Sequence, residues 1–272
     1  RTIVVKYGGN AMVDESLKAH LTTALVKDQG MKEEDARAGL DNLFAYTEKQ
    51  HIFEDDEVKT LIKAIDNCKI LDPACGSGAF PMGILHKLVH ILANLDPNNE
   101  KWKQTQLGKL DSANMREELE RTFENNSDDY GRKLYLIENC LYGVDIQPIA
   151  IQLSKLRFFI SLICDQKTNR NKGKNHGVKP LPNLETKFVA ADTLIGLAKD
   201  TQMNLFKSSR VVEIERKLQQ VRHDYFAVQN RHKKLGLQSK DKLLRDSLAD
   251  ELMQEAFADQ NTSLKLAKWN PY

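Results

Sequence analysis

The segment that decides the fold is Ile-Leu-Asp-Pro-Ala-Cys-Gly-Ser-Gly-Ala-Phe at residues 70–80. A short apolar run ends at Asp72, a proline follows, and Gly76 and Gly78 lead into a helix that we predict over residues 80–93. Glycines there can adopt backbone angles closed to other residues and let a ligand approach the main chain. The first amides of the helix point at the same place. A strand, a glycine turn and a helix in this order predict a ligand-binding edge of an α/β fold.

Two further apolar stretches run into acidic residues. Residues 140–146 are predicted to form a strand that contains Asp145, and residues 187–191 a strand followed by Asp192. In doubly wound sheets an acidic residue at the end of the second strand accepts hydrogen bonds from ribose hydroxyls, ~20 residues after the glycine turn. The interval between the glycine turn and Asp145 is longer than this, and a polar, helical insertion over residues 96–133 explains the difference. The dinucleotide fingerprint is excluded, because it needs a third glycine three residues further on.

Composition excludes several classes of protein. The formal net charge is +2 over 272 residues, so no global positive field draws the chain to nucleic acid. No apolar stretch approaches the ~20 residues of a membrane span, and we expect a soluble, cytoplasmic and monomeric protein without a membrane partner. His86 and His90 share a helix face without a third ligand, so no metal site is predicted. The cysteines form no Cys-X-X-Cys pair, which argues against zinc and suits a reducing compartment: Cys68, Cys75, Cys140 and Cys164.

Residues 1–20 differ from the rest of the chain. A short strand runs into a Gly-Gly turn at Gly8 and Gly9, and the preceding Lys6 completes a pattern that resembles the opening of acetylglutamate kinase. The resemblance implies contact with phosphoryl oxygens, but none of that family's later glycine loops follows. We therefore interpret residues 1–20 as an edge strand or as a leader or fused segment, and an amino-acid kinase is the less favoured alternative.

The remaining segments are predicted to be mainly helical. Residues 21–66 form a helical lead-in with a helix over residues 54–65, and the nearly all-apolar residues 149–164 predict a helix buried around most of its circumference. The basic residues 167–174 read as a flexible, solvated loop at the amino ends of the strands, away from the ligand edge.

A helical hairpin is predicted over residues 210–258, with its turn at residues 236–241. Leu244, Leu248 and Leu252 continue the apolar pattern on the second helix. The seam of the hairpin has the alternating steps of four and three that mark a heptad repeat: Ile214, Leu218, Val221, Tyr225, Val228, His232 and Leu235.

The sequence of residues 72–80 resembles motif I of DNA amino-methyltransferases that use S-adenosylmethionine (SAM). From about residue 21 to 272 the chain resembles the methyltransferase region of type IIG restriction–modification enzymes. The resemblance implies a partial Rossmann-like SAM-dependent methyltransferase fold with a central parallel sheet, a SAM-binding core at residues 67–209, and methyl transfer to N6 of adenine in double-stranded DNA. It is carried by residues 43–46, 70–81, 82–88, 141–148, 180–184 and 268–272.

The resemblance and the sheet-edge pattern together indicate the cofactor-binding residues. An acid after the third strand usually meets the adenine of SAM in this family, which adds Asp192. The full set is Asp72, Pro73, Ala74, Cys75, Gly76, Gly78, Phe80, Asp145, Ile146 and Asp192.

The catalytic residues are left unassigned. The family motif Asn/Asp-Pro-Pro-Tyr/Phe is absent, because residues 259–272 end in Asn270-Pro271-Tyr272 with one proline too few and no apolar strand before them. We expect that motif, and most DNA contacts, to lie beyond residue 272. The alternatives are a non-catalytic SAM-binding fragment or scaffold and, less favoured, a protein-glutamine methyltransferase.

Overall fold

The computed structural model of the chain describes residues 2–4, 10–47, 50–107, 128–178, 183–193, 209–227 and 231–254. The chain divides into two compact units, Arg1–Lys179 and Pro180–Tyr272. The finer domain boundaries remain predictions. No helix among the described residues is long and apolar enough to cross a membrane.

The first unit is built on a parallel sheet. Its strands are β1 (Thr2–Val4), β2 (Lys69–Asp72) and β3 (Leu141–Asp145), with β2 in the middle. Ile70 lies opposite Leu141 and Asp72 lies opposite Gly143, so β2 and β3 reach the same edge of the sheet. The prediction of an α/β fold with a parallel sheet is confirmed. The finer Rossmann-like class remains a prediction.

Seven described α-helices belong to the first unit, besides a short 3-10 helix at Lys172–Gly177. They are α1 (Asn10–Gln29), α2 (Glu33–Phe44), α3 (Asp55–Asp66), α4 (Ala79–Leu95), α5 (Glu100–Leu107), α6 (Asp128–Asn139) and α7 (Pro148–Cys164). In α3 the Glu57 carboxylate accepts a hydrogen bond from the Glu54 amide at 2.8 Å, which satisfies a donor that the helix start would leave unpaired. The apolar residues of α3 that recur at helical spacing are all buried: Val58, Leu61, Ile62 and Ile65.

Helix α1 crosses residue 20, which the sequence marks as the end of a separate segment. The Asp14 carboxylate lies 3.5 Å from the Lys87 ammonium group of α4, and both Leu17 and Leu21 are buried. Lys6 and the Gly-Gly turn lie outside the described residues. The interpretation of residues 1–20 as a leader or fused segment therefore stays a prediction, and a continuous helix runs through its boundary.

The described ends of the insertion are joined by Arg132, whose side chain is buried. Its Nη2 donates to the carbonyl oxygen of Asp96 at 2.6 Å and its Nε to Oδ1 of Asn99 at 3.2 Å. The Asp96 carboxylate in turn accepts hydrogen bonds from the amides of Glu100 and Trp102 at the start of α5. These bonds hold the chain ends at residues 96 and 132 together, so the insertion leaves the helix and the strand on either side of it in place.

Helix α7 is buried on one face only. Ile151, Phe158 and Leu162 are buried, whereas Ile149 is 65% exposed and Ile160 is 53% exposed. The prediction that α7 is buried around most of its circumference was wrong. An apolar composition does not specify how many elements pack against a helix, and a single helix face is enough to cover a sheet.

The second unit contains a short strand and two packed helices. These are β4 (Phe188–Ala190), α8 (Ser209–Ala227) and α9 (Arg231–Gln254). The helices run antiparallel, because Arg210 pairs with Glu251 and Arg222 pairs with Asp241.

The turn predicted at residues 236–241 was wrong. Those residues lie inside α9, because a single glycine lowers helix stability only by roughly 1 kcal/mol and does not end a helix. Ile214, Leu218, Val221 and Tyr225 form the predicted seam on α8 and are buried. Leu235 is 52% exposed and His232 is exposed, so the seam does not continue into α9, while Val228 lies outside the described residues.

Candidate functional site

Two carboxylates meet where β2 and β3 end. Asp72 is the last residue of β2 and Asp145 the last residue of β3. The turn after β2 is hydrogen-bonded to the neighbouring strand β3, because the amide of Cys75 donates to the carbonyl oxygen of Val144 at 2.9 Å. The turn is therefore an extension of the sheet edge and is not a free loop.

The two glycines of the turn are required by its backbone conformation. Gly76 has φ +52° and Gly78 has φ +80°, both in the left-handed region that other residues adopt at a cost of roughly 1–2 kcal/mol. The Gly78 amide closes the turn with a 2.9 Å bond to the carbonyl oxygen of Cys75. Gly78 then forms the N-cap of α4.

Asp145 holds the glycine turn directly. Its Oδ2 accepts a hydrogen bond from the amide of Gly76 at 2.9 Å, and its Oδ1 accepts one from the amide of Gln147 at 2.9 Å. Asp72 acts within its own turn, where Oδ1 accepts from the amide of Ala74 at 3.1 Å. One carboxylate thus orders the turn across the sheet, and the other orders it locally.

The electrostatic character of this edge is negative. Burial raises the pKa of the Asp72 carboxyl, the amide of Ala74 opposes that shift, and the nearby Asp145 carboxylate adds to it. Burial also raises the pKa of the Cys75 thiol to about 11, with Asp72 as the second cause. Cys75 is therefore a neutral, packed side chain at physiological pH. The two aspartates give the edge a preference for a ligand that carries positive charge.

The start of α4 contributes hydrogen-bond donors beside these carboxylates. The first amides of a helix have no intrahelical acceptor, and α4 begins at Ala79 directly after the turn. Its Ala79 is exposed and its Phe80 is half-buried. The edge consequently offers carboxylate acceptors and amide donors to one ligand.

The structure brings most of the predicted site residues together. Gly76 bonds to Asp145 and Gly78 bonds to Cys75, while Asp72 bonds to Ala74 in the same turn. The others of the first unit adjoin them in the chain: Pro73, Ala74, Phe80 and Ile146, of which Ile146 is 68% exposed.

Asp192 belongs to the second unit. It is exposed and comes two residues after β4. Its predicted contact with a cofactor remains a prediction. Asn270, Pro271 and Tyr272 lie outside the described residues.

Sequence reasoning missed Ser154 of α7. Its side chain is fully buried, and its Oγ donates to the carbonyl oxygen of Gly76 at 2.9 Å. A signal was present in the sequence, since Ser154 occupies a position between Ile151 and Phe158 on the buried face of an apolar helix. A hydroxyl at such a position needs a hydrogen-bond partner.

Of the two histidines on α4, His90 has a structural role. Nε2 of His90 lies 3.2 Å from the carbonyl oxygen of Ala45 and 3.1 Å from Nδ2 of Asn94. Among the described residues, no group of three or more histidines, cysteines or acids is arranged to hold a metal ion.

Comparison with known proteins relates the chain to a restriction–modification enzyme. Over 149 residues the chain is 32% identical to a "putative type II restriction enzyme and methyltransferase" of Methanocaldococcus jannaschii. The matched part covers 55% of this chain and 10% of that protein, so the chain spans about a tenth of the relative's length. The similarity relates the chain to a restriction–modification methyltransferase and gives no support to the acetylglutamate kinase resemblance. No protein-family model and no solved structure matches the chain.

Proposed function

We propose that this chain binds SAM at the edge formed by Asp72, the glycine turn and Asp145, as the cofactor-binding part of a restriction–modification methyltransferase. The observation that carries the proposal is the 2.9 Å bond between the Gly76 amide and Oδ2 of Asp145. It brings the turn after β2 beside the acid that ends β3, and in open α/β sheets an acid at that place accepts hydrogen bonds from the ribose of a cofactor. The named relative supports the same class of enzyme.

The charge of the edge favours SAM over a phosphate-bearing cofactor. SAM carries a sulfonium and an ammonium group, and both are cations. Asp72 is only 8% exposed, and its pKa is raised by burial and by Asp145, so a cation placed nearby would stabilise both carboxylates. ATP carries phosphates and has no such cation, so the two carboxylates favour it less than SAM.

The residues present fit the cofactor by their chemistry. Asp145 is half-buried and can accept hydrogen bonds from ribose hydroxyls, and the first amides of α4 can donate to a carboxylate. Ile146 offers exposed apolar surface directly after Asp145. When bound, SAM supplies an electrophilic methyl group on a sulfonium. The work of these residues is to orient it, because an in-line displacement depends mainly on positioning.

We further propose adenine N6 in double-stranded DNA as the acceptor for the whole protein. The support is the resemblance of the chain to type IIG methyltransferase regions, together with the word "restriction" in the name of its relative. A base inside a duplex must leave the stack before its exocyclic nitrogen can be reached. The near-balanced net charge of +2 gives the chain little attraction for phosphates, so other parts of the protein would supply most DNA contacts.

The SAM-binding proposal is tested by calorimetric titration of the protein with SAM and with ATP. We expect SAM to bind and ATP not to bind. Asp145→Ala should weaken SAM binding by about 1.5–3 kcal/mol, because hydrogen bonds to a charged acceptor are lost. Asp28→Asn, which neutralises an exposed acid on α1, is the matched control and should bind as the wild type does. Unchanged SAM affinity in Asp145→Ala would show that the cofactor is bound elsewhere.

The acceptor is tested separately with tritiated SAM and mixed-sequence duplex DNA. Label on adenine N6 would support the proposed reaction. SAM binding without transfer would favour a chain that binds SAM and lacks the catalytic motif. Transfer to a protein glutamine would reject DNA as the substrate.

A further inference from the structure

Both the amide and the carbonyl group of Gly76 are hydrogen-bonded to side chains. Its amide donates to Oδ2 of Asp145, and its carbonyl oxygen accepts from Oγ of Ser154, each at 2.9 Å. The two bonds restrain the two peptide planes that flank Gly76, and so they restrain φ and ψ of a residue whose φ is +52°. A glycine has more backbone freedom than any other residue, so it needs such restraints to hold one conformation.

Ser154 also fits against the second glycine of the turn. A Cβ at Gly78 would lie 2.7 Å from Oγ of Ser154 and 3.1 Å from its Cα. Helix α7 therefore approaches the turn with its own backbone, and only a small side chain fits between them. Serine is small enough for this position and still donates a hydrogen bond. Alanine would fit as well but has no donor.

The choice of serine is not explained by packing alone. The neighbouring positions on the buried face of α7 are Ile151, Phe158 and Leu162, all apolar. A fully buried hydroxyl lowers stability unless it is hydrogen-bonded, and the partner of this one is the carbonyl oxygen of the glycine turn. The hydroxyl thus restrains the conformation of the turn through its bond to Gly76.

We propose that Ser154 is a positioning residue for the cofactor-binding turn, acting with Asp145 through Gly76. The proposal rests on the proposed binding of SAM at this edge. Asp145 ends β3 and Ser154 lies in α7, the next helix along the chain, while the turn follows β2. The two bonds to Gly76 make the orientation of the turn, and of the amides that follow it, depend on the position of α7 against the sheet.

The test compares Ser154→Ala with Ser161→Ala. Ser161 lies on the same helix, and its hydroxyl oxygen is buried with no hydrogen-bond partner among the described residues, so its removal takes away a hydroxyl without releasing the turn. SAM affinity is measured by calorimetry well below the unfolding temperature of each variant. Hydrogen exchange of the Gly76 amide is measured by NMR without ligand.

We expect Ser154→Ala to weaken SAM binding about 3- to 10-fold and to accelerate Gly76 exchange by a similar factor, the usual weight of one neutral hydrogen bond. Ser161→Ala should change neither. A lower unfolding temperature in Ser154→Ala with SAM affinity and Gly76 exchange unchanged would show a merely structural serine and overturn the proposal. Equal effects of both substitutions would overturn it too.

Failure of the underlying function gives a different result. If the wild-type protein does not bind SAM, the proposed function is wrong, and the exchange comparison alone decides the role of Ser154. Faster exchange of Gly76 in Ser154→Ala then supports positioning of the turn, and unchanged exchange rejects it.

Discussion

The glycine turn of the first unit and the α8–α9 hairpin of the second both bury polar side chains, but they use them differently. In the hairpin, Asp241 is completely buried and accepts hydrogen bonds from Nε of Arg222 at 2.9 Å and Nε of Arg245 at 2.8 Å. In the turn, Asp145 and Ser154 bond to the backbone of Gly76.

The difference separates two tasks of a buried polar group. Side chains that pair with each other specify how two helices pack, because a shifted register would leave buried charges unpaired. Side chains that pair with a left-handed backbone keep a surface in one shape, which is what a ligand site needs. We therefore expect substitutions in the hairpin to act on stability alone and substitutions around the turn to act on ligand binding as well.

The largest effect is expected from Asp241→Ala. The substitution removes the completely buried carboxylate that accepts hydrogen bonds from Arg222 and Arg245. Loss of one partner of a buried ion pair lowers the free energy of unfolding by about 3–5 kcal/mol. Urea denaturation followed by circular dichroism measures it. Asp250→Ala, at an exposed position of the same helix, is the control and should stay within about 0.5 kcal/mol of the wild type. A loss below about 1 kcal/mol in Asp241→Ala would remove the contrast between the two regions.

The next effect distinguishes the two glycines of the turn. Gly78→Ala combines a strained φ of +80° with a Cβ 2.7 Å from Oγ of Ser154, and should lower the free energy of unfolding by about 2–4 kcal/mol. Gly76→Ala meets no atom within 4 Å and carries only the backbone strain, about 1–2 kcal/mol. Urea denaturation of both variants tests this order. Equal losses would mean that α7 moves away from the turn at little cost.

A smaller effect of opposite sign is expected from Asp72→Asn. The pKa of Asp72 is raised above its ordinary value of 3.8, chiefly by burial, so the folded protein holds this proton more tightly than the unfolded chain. The free energy of unfolding of the wild type must then fall as the pH rises from about 3.8 through the raised pKa of the folded protein. The asparagine side chain cannot ionise, so the variant should be more stable than the wild type at neutral pH.

The pH dependence provides the check on Asp72. Urea denaturation of wild type and Asp72→Asn across a pH series should show the stability gain shrinking as the pH falls and Asp72 becomes protonated in both states. SAM affinity should fall in the same variant at neutral pH, because one carboxylate is lost. A variant less stable than the wild type at neutral pH would contradict the assigned direction of the pKa shift.

The smallest perturbation is chemical labelling, which leaves the fold unchanged. Cys164 is exposed, whereas Cys75 is buried and burial raises its pKa to about 11. With iodoacetamide at about pH 8, Cys75 should react more than about 100-fold more slowly than Cys164, because both thiolate fraction and access are reduced. Mass spectrometry of the labelled protein measures both rates. Comparable rates would show that the turn opens readily.

Local patterns predicted the elements of the first unit well. Strand β2 ends at Asp72 as expected, α4 runs two residues beyond the predicted end, and the apolar positions of α3 are buried. These features follow from interactions within a few residues, such as helix periodicity and turn chemistry. The exposed face of α7 could not be predicted, because it depends on what packs against the helix. The turn expected at Gly236 was wrong because one glycine lowers helix stability only by roughly 1 kcal/mol, which the rest of α9 outweighs.

The sequence by itself determined that Asp72 and Asp145 each end a strand and that the turn between strand and helix needs glycines, since these are properties of short segments. Only the tertiary structure decided that Gly76 is held by Asp145 and Ser154, which lie 69 and 78 residues further along the chain. That pairing depends on how far α7 approaches the sheet. Such a distance is set by packing between elements, and no local pattern encodes it.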